Sequence, residues 1–405
     1  MKVIIADRLI DANGVVENPI VVVDENRIVN VGSKGQVDFP SDSEVIEASG
    51  LILIPGMIDC HIHLYGLDKM SGMPSEPTEV RLFRAVNDHC KKIIDSGFTS
   101  VMDAGSVIGL RARNAINSEY AVGPRIHASN KAISQTAGHS DAVNLPIDWA
   151  KDPRLIRGFD GFIADGIAEC RRGVRENLRA RSDFIKICTG GGGGGIVDPW
   201  WVTQFSLEEI EAVVDASHSY GKKVMSHVYA SNSIKRTVMG GVDIITHGNM
   251  MDENNIKLMK EQGTLFVPTM SVYERMNRKR TGDRPKSPLY LNQYKAVRKA
   301  YDAGIPLAIG TDNMGFGTLP HGGSALEMEL YVEQVGITAM ETLKIATING
   351  ARVMGMEKEL GSIEKGKLAD IVAIKGDLLE NIKLLQDHNN IKYVMRNGKA
   401  LKNLL

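Results

Sequence analysis

The chain reads as an α/β protein: a (β/α)8 TIM barrel with a small composite β-sandwich domain formed by both chain ends. Three observations lead there. Between residues 51 and 310, eight short apolar runs alternate with longer amphipathic segments, the grammar of parallel βα units. The two ends of the chain carry short alternating runs and turn residues instead. Polar residues with ligating chemistry recur where the apolar runs stop, the edge of a barrel that carries its chemistry. The expected division is 1–55 and 358–405 for the two parts of the sandwich, and 56–357 for the barrel.

Composition narrows the class. The chain has 405 residues, 43% hydrophobic and 24% charged, ordinary for a globular protein. A net charge of −1 gives no electrostatic case for nucleic acid or a membrane surface. Aromatics are scarce at 5%, so base-stacking platforms are not expected. Charges interrupt the first eight residues, so no signal peptide is expected, and no apolar run reaches the length of a spanning helix. Cys60, Cys90, Cys170 and Cys188 are widely spaced without a CxxC pair, which fits free, buried thiols in a cytoplasmic protein.

Residues 3–5, 20–23 and 27–31 alternate or run apolar. Asp11-Ala12-Asn13-Gly14 and Asp24-Glu25-Asn26 separate them with turn chemistry. So short a unit buries little core alone. The C-terminal stretch is expected to complete it. Residues 361–374 read as a hairpin and strand, and 391–395 as a strand entering the tight turn Arg396-Asn397-Gly398-Lys399.

The apolar run Leu51-Ile52-Leu53-Ile54 opens the barrel and leads into Pro55-Gly56-Met57-Ile58-Asp59-Cys60-His61-Ile62-His63. Side chains on a strand alternate faces, so His61 and His63 point the same way and make a natural pair of metal ligands. A helix over 78–96, ended by Gly97, precedes strand two at 99–103. Strand three is 125–129 and strand four 183–188. A helix over 207–220, with Ser206 as N-cap and Glu209 closing a capping box, precedes strand five at 223–228. Strands six, seven and eight are 242–246, 264–267 and 306–310. Within or just after these strands lie His61, His63, Lys186, His227, His247 and Asp312.

Each histidine alone fits a satisfied core imidazole; four in register do not. Lys186 is flanked by Phe184, Ile185, Ile187 and Cys188, so its strand is buried. A lone buried lysine is costly unless its charge is lost or paired.

These residues, with Ser226-His227, Thr246-His247-Gly248, Gly310-Thr311-Asp312 and residues 361–370, resemble the amidohydrolase superfamily in its binuclear-zinc branch. The resemblance covers nearly the whole chain. It implies that His61, His63 and Asp312 bind one metal and that His227 and His247 bind a second. A CO2-derived carbamate on Lys186, together with a hydroxide, would bridge the two. Zn2+ suits such ligands, with Mn2+ or Co2+ as possible substitutes. Asp312 would act as general base and then acid in amide hydrolysis.

The loops are similar to those of prolidase-like and Xaa-Arg carboxypeptidase-like dipeptidases. That similarity implies roles for Tyr229 and His139 in holding a substrate carboxylate or oxyanion, and His321 is a further candidate for the pocket wall. The implied substrates are dipeptides or N-acyl amino acids with a free carboxylate. Ala137 and Ser140 stand where many relatives have glycine, a departure in loop shape. The run Gly190–Gly195, followed by Ile196-Val197-Asp198-Pro199, lacks the Gly-Lys-Ser/Thr ending of a phosphate loop. It reads as a mobile loop or as a donor of backbone N–H groups. Trp200 and Trp201 fit lid aromatics or a packing surface, and Arg278-Lys279-Arg280 a solvated run. The resemblance also implies a homo-oligomer. The alternative reading is an imidazolone-type cyclic amide hydrolase or a deaminase. Deaminase relatives carry a glutamate soon after the strand-five histidine, and Val228-Tyr229-Ala230-Ser231 contains none.

Overall fold

The computed structural model describes residues 1–68, 76–152, 161–195, 197–279 and 286–405. Ile196 of the glycine-rich loop and Arg280 of the basic run lie outside the described residues.

Parallel strands close a ring. Strands one to three (Met57–Ile62, Phe98–Asp103 and Arg125–Ala128) pair in sequence. Strand three passes to strand four (Ile185–Cys188) where the Asp183 N–H donates to the Ala128 carbonyl at 2.9 Å. Strands four to seven (onward through Val224–Val228, Ile244–His247 and Leu265–Val267) pair in order. Residues 306–310 complete the ring: Ala308 N–H donates to Phe266 O at 3.0 Å, and Cys60 N–H to Ile309 O at 2.8 Å. Phe184 and Met225, each two residues before a candidate ligand, lie in one buried cluster with Met102, Ile244 and Val267. Period-two alternation therefore puts an apolar floor beneath Lys186 and His227.

The helices follow their sequence signals. The segment from Thr78 to Asp95 is continuous but changes pitch through a π turn at Ala85–His89. Gly97 has φ 82°, the left-handed conformation that glycine supplies cheaply after a helix. Ser206 and Glu209 form the reciprocal capping box at the start of Leu207–His218.

Both chain ends share one eight-stranded sheet. Glu44–Pro55 runs parallel to Lys2–Asp11 on one side and antiparallel to Ile371–Lys375 on the other. The strand Arg27–Ser33 reaches back to residues 366–369, with Ile28 N–H on Lys367 O and Ala369 N–H on Asn26 O. The sheet thus curls over an apolar cluster that includes Ile4, Leu53, Ile371 and Tyr393. Asn397 and Gly398 both have positive φ, 49° and 70°, as a two-residue type I′ hairpin turn requires. Among the described residues, no helix is long and apolar enough to cross a membrane.

Candidate metal centre

His61 and His63 leave strand one on the barrel's interior face, and Asp312 follows strand eight. One ligating atom from each lies within 4.8 Å of the other two. The Asp312 Oδ1 is 3.1 Å from His63 Nε2 and 3.5 Å from His61 Nε2. His247, at the end of strand six, stands 5.1 Å from His61 between ring centroids and 4.5 Å from His227 on strand five. These residues and Lys186 line one cavity of about 370 Å³. The six strand-end positions that the resemblance implies as ligands are brought together.

The donor set fits divalent cations. Burial lowers the pKa of His61 and His227 well below the usual imidazole range, and that of His247 to about 3. All three are therefore neutral near pH 7, with lone pairs to offer. The His227 Nε2–H donates to the Gly191 carbonyl at 3.1 Å, which leaves Nδ1 as the donor atom toward the cavity. His247 Nδ1 lies 2.7 Å from Thr269 Oγ1, so donation there leaves Nε2. Metal-binding imidazoles are commonly oriented this way, through the nitrogen that does not bind. Lys186 is buried, its Nζ 3.3 Å from Thr246 Oγ1, and burial pushes its pKa down to about 8.

Three buried carboxylates that sequence reasoning missed frame this site. Asp59 Oδ1 accepts from the N–H of His61 and of Thr311, and Oδ2 from Thr311 Oγ1 and Ser324 Oγ at 2.7 Å each. It ties the end of strand one to the end of strand eight. Asp103 accepts from the N–H of Leu64 at 2.8 Å and of Gly105 at 3.1 Å. Glu327 accepts from the N–H of Met270 and Ser271. Burial raises Asp59 and Asp103 to about 6 and Glu327 to about 8, against the hydrogen bonds each receives. Asp59 stands two residues before His61, a period-two signal that could have found it.

The glycine-rich loop packs tightly. Asp198 Oδ2 accepts from Gly192 N–H at 2.9 Å and sits 3.0 Å from His139 Nδ1. A Cβ on Gly192 would lie 2.4 Å from His139 Nδ1, and one on Gly195 1.7 Å from Asp198 Oδ1. Glycine is needed here for close approach to a carboxylate of the chain itself, and Asp198 already takes the Gly192 N–H. His139 stacks on His227 with centroids 3.9 Å apart, and Tyr229 meets His227 edge-on at 4.7 Å. Tyr65, which the sequence did not suggest, stacks on His63 at 5.0 Å and lines the cavity. Ala137, the departure noted above, has φ 59°. Trp200 packs against a cluster around Tyr229 and Tyr273, whereas Trp201 is exposed.

His139 lines the cavity, whereas Tyr229 does not, and neither does His321. His321 is buried beside His89 at 4.8 Å, after a turn through Gly315, where a Cβ would lie 2.4 Å from the His89 ring.

The sequence matches the amidohydrolase family over residues 52–401. It is 32% identical to an ochratoxinase of Aspergillus niger, covering 99% of this chain and 87% of that protein. The A. niger ochratoxinase crystal structure superposes with a TM-score of 0.89 at 30% identity, over 99% of this chain and 95% of that one. A Xaa-Pro dipeptidase with methionine in its active site gives 0.86 at 31% identity, over 99% and 100%. A prolidase complexed with N-methylphosphonate-L-proline gives 0.88 at 31%, over 99% of each chain. With a matching barrel, a matching end sheet and a His-His-Asp group at the ring's mouth, the chain belongs to the amidohydrolase family.

Proposed function

We propose that this hydrolase cleaves the amide bond of dipeptides or N-acyl amino acids that carry a free carboxylate, and that it depends on metal to do so. The observation that carries the reading is the convergence of His61, His63, Lys186, His227, His247 and Asp312 on a single cavity. His61, His63 and Asp312 would hold one divalent cation, and His227 and His247 another, with carboxylated Lys186 between them. Zn2+ is the expected ion, with Mn2+ or Co2+ able to replace it. Such ions supply an activated water and a Lewis acid at the scissile carbonyl.

The chain's own groups do the rest. The neutral Lys186 amine, which burial favours, is the form that adds CO2, with loss of one proton to solvent, and Thr246 Oγ1 accepts from its Nζ. Asp312 takes the proton of the attacking water and hands it to the leaving nitrogen. His139, fixed by Asp198, and Tyr229 receive the substrate carboxylate or the developing oxyanion. Residues 56–357 would carry the chemistry, and 1–55 with 358–405 would brace the barrel. The Xaa-Pro dipeptidase and the prolidase, whose bound ligands are an amino acid and a proline derivative, support a carboxylate-bearing substrate.

The test is hydrolysis of Xaa-Pro, Xaa-Arg, Xaa-Lys and Xaa-Phe dipeptides and matching N-acyl amino acids, with zinc and bicarbonate, beside a Lys186→Ala control. Turnover above the control supports the reading. A silent panel on protein that binds two zinc ions rejects the substrate class and turns the search to ring amides.

A further inference from the structure

Glu327 is fully buried on the helix Ala325–Leu330 and does not line the cavity. Its two carboxylate oxygens accept from the N–H of Met270 at 2.7 Å and of Ser271 at 2.6 Å. These are the first residues of the helix Met270–Arg278, whose opening amides have no partner within the helix. The residue just before them, Thr269, has φ 53°, a left-handed conformation that is an outlier for a β-branched side chain. Its hydroxyl lies 2.7 Å from Nδ1 of His247.

We propose that Glu327 is a positioning residue for the second cation: it clamps the start of the Met270–Arg278 helix, which keeps Thr269 in its strained conformation and His247 Nε2 aimed at the cavity. The inference rests on the two-cation reading above.

Three features favour this over a plain helix cap. Ordinary caps come from the residue beside the helix and face solvent. Glu327 comes from a different helix, 57 residues on, and is buried at a desolvation cost. The helix that carries it is itself anchored, because Ser324 at its start donates to Asp59, which grips strands one and eight. Both bonds to Glu327 come from amide donors, so both oxygens must accept. A glutamine would turn its NH2 toward one of those amides.

The test is zinc binding by the full-length chain. Metal-free wild type, Glu327→Gln, Thr269→Val, Thr269→Ser and the Glu327→Gln/Thr269→Val double variant are titrated with zinc against a chromophoric chelator. Far-ultraviolet circular dichroism checks that each is folded. Glu327→Gln and Thr269→Val should each weaken one of the two zinc constants about 10- to 100-fold and leave the other within about twofold. The double variant should bind no worse than the weaker single variant, since both act on one route. Thr269→Ser keeps the hydroxyl and should bind as wild type. If Glu327→Gln does not fold, Glu327→Asp, which keeps the carboxyl group but shortens its reach, takes its place. Wild-type zinc constants in the Glu327 variant overturn the inference while the two-cation reading stands. Equal weakening of both constants also overturns it, as general loosening. A wild type that saturates below two ions overturns the two-cation reading and the inference with it.

Discussion

Replacing His89 by glutamine should flatten the acid side of the stability curve. His89 sits in the π turn Ala85–His89, 1% exposed, with its Nδ1 unpartnered among the described residues. Burial lowers its pKa from 6.5 to about 4; Asp88, 3.7 Å away, pulls the other way, while Lys92 and Arg84 reinforce the drop. An unfolded chain takes up the imidazole proton near pH 6.5, the folded chain only near 4. Between those values the folded state binds fewer protons, so stability is lost as pH falls through the window. At about 1.4 kcal/mol per pH unit, that interval amounts to about 3 kcal/mol by pH 4 and almost nothing at pH 7. The assay is urea unfolding of chelator-treated wild type and His89→Gln at pH 7, 6, 5 and 4. The difference between the two should move about 3 kcal/mol in the variant's favour across that range. A constant offset added to that pH-dependent difference reports packing and leaves the prediction standing. Parallel curves would refute the reasoning.

Three further outcomes are expected. Ala137→Gly should raise the unfolding free energy by about 1 kcal/mol in urea, because alanine at φ 59° pays for a left-handed backbone that glycine adopts freely. Gly195→Ala should lower kcat/KM on the best dipeptide at least about tenfold, mainly through KM, with zinc content unchanged: the new methyl displaces Asp198, and His139 loses a charge-assisted hydrogen bond. Chelation should abolish turnover and lower the melting temperature, and zinc with bicarbonate should restore both.

What was legible in the sequence was what local periodicity encodes. Apolar runs marked strands two to seven of the barrel to within a residue or two, whereas the run Leu51-Ile52-Leu53-Ile54, read as opening the barrel, lies in the end sheet and strand one is Met57–Ile62; Ser206 with Glu209 marked a helix start that the structure shows. His61, Lys186, His227 and Asp312 stood out because a polar side chain at the end of an apolar run must have a reason to be there. Glu327 gave no such sign. It lies in Ala325-Leu326-Glu327-Met328-Glu329-Leu330, where Glu329 looks the same and only folding decides which of them is buried. The glycine run was legible as special but not as to why. Its partners, Asp198 and His139, come together only once the loop closes on strand four. His321 misled because a histidine after a barrel strand is read as lining the pocket, whereas the turn through Gly315 packs it on His89.

The placement of strain ties these details to the site. His247, Thr269 and Asp312 follow or end three neighbouring strands, and each is non-glycine with φ between 53° and 71°. A left-handed residue there breaks the strand's alternation and redirects a side chain that would otherwise continue the pleat. Each such residue costs on the order of 1–2 kcal/mol, so the arrangement persists only if the surroundings over-determine it. The two buried carboxylates do that. Asp59 holds the N–H and hydroxyl of Thr311, directly before Asp312, and Glu327 holds the two amides directly after Thr269. Neither carboxylate reaches the donor atoms, yet each grips the backbone beside a strained residue. The strained residues and the acids that restrain them make sense as one device, in which backbone energy is stored so that lone pairs converge where a cation would sit.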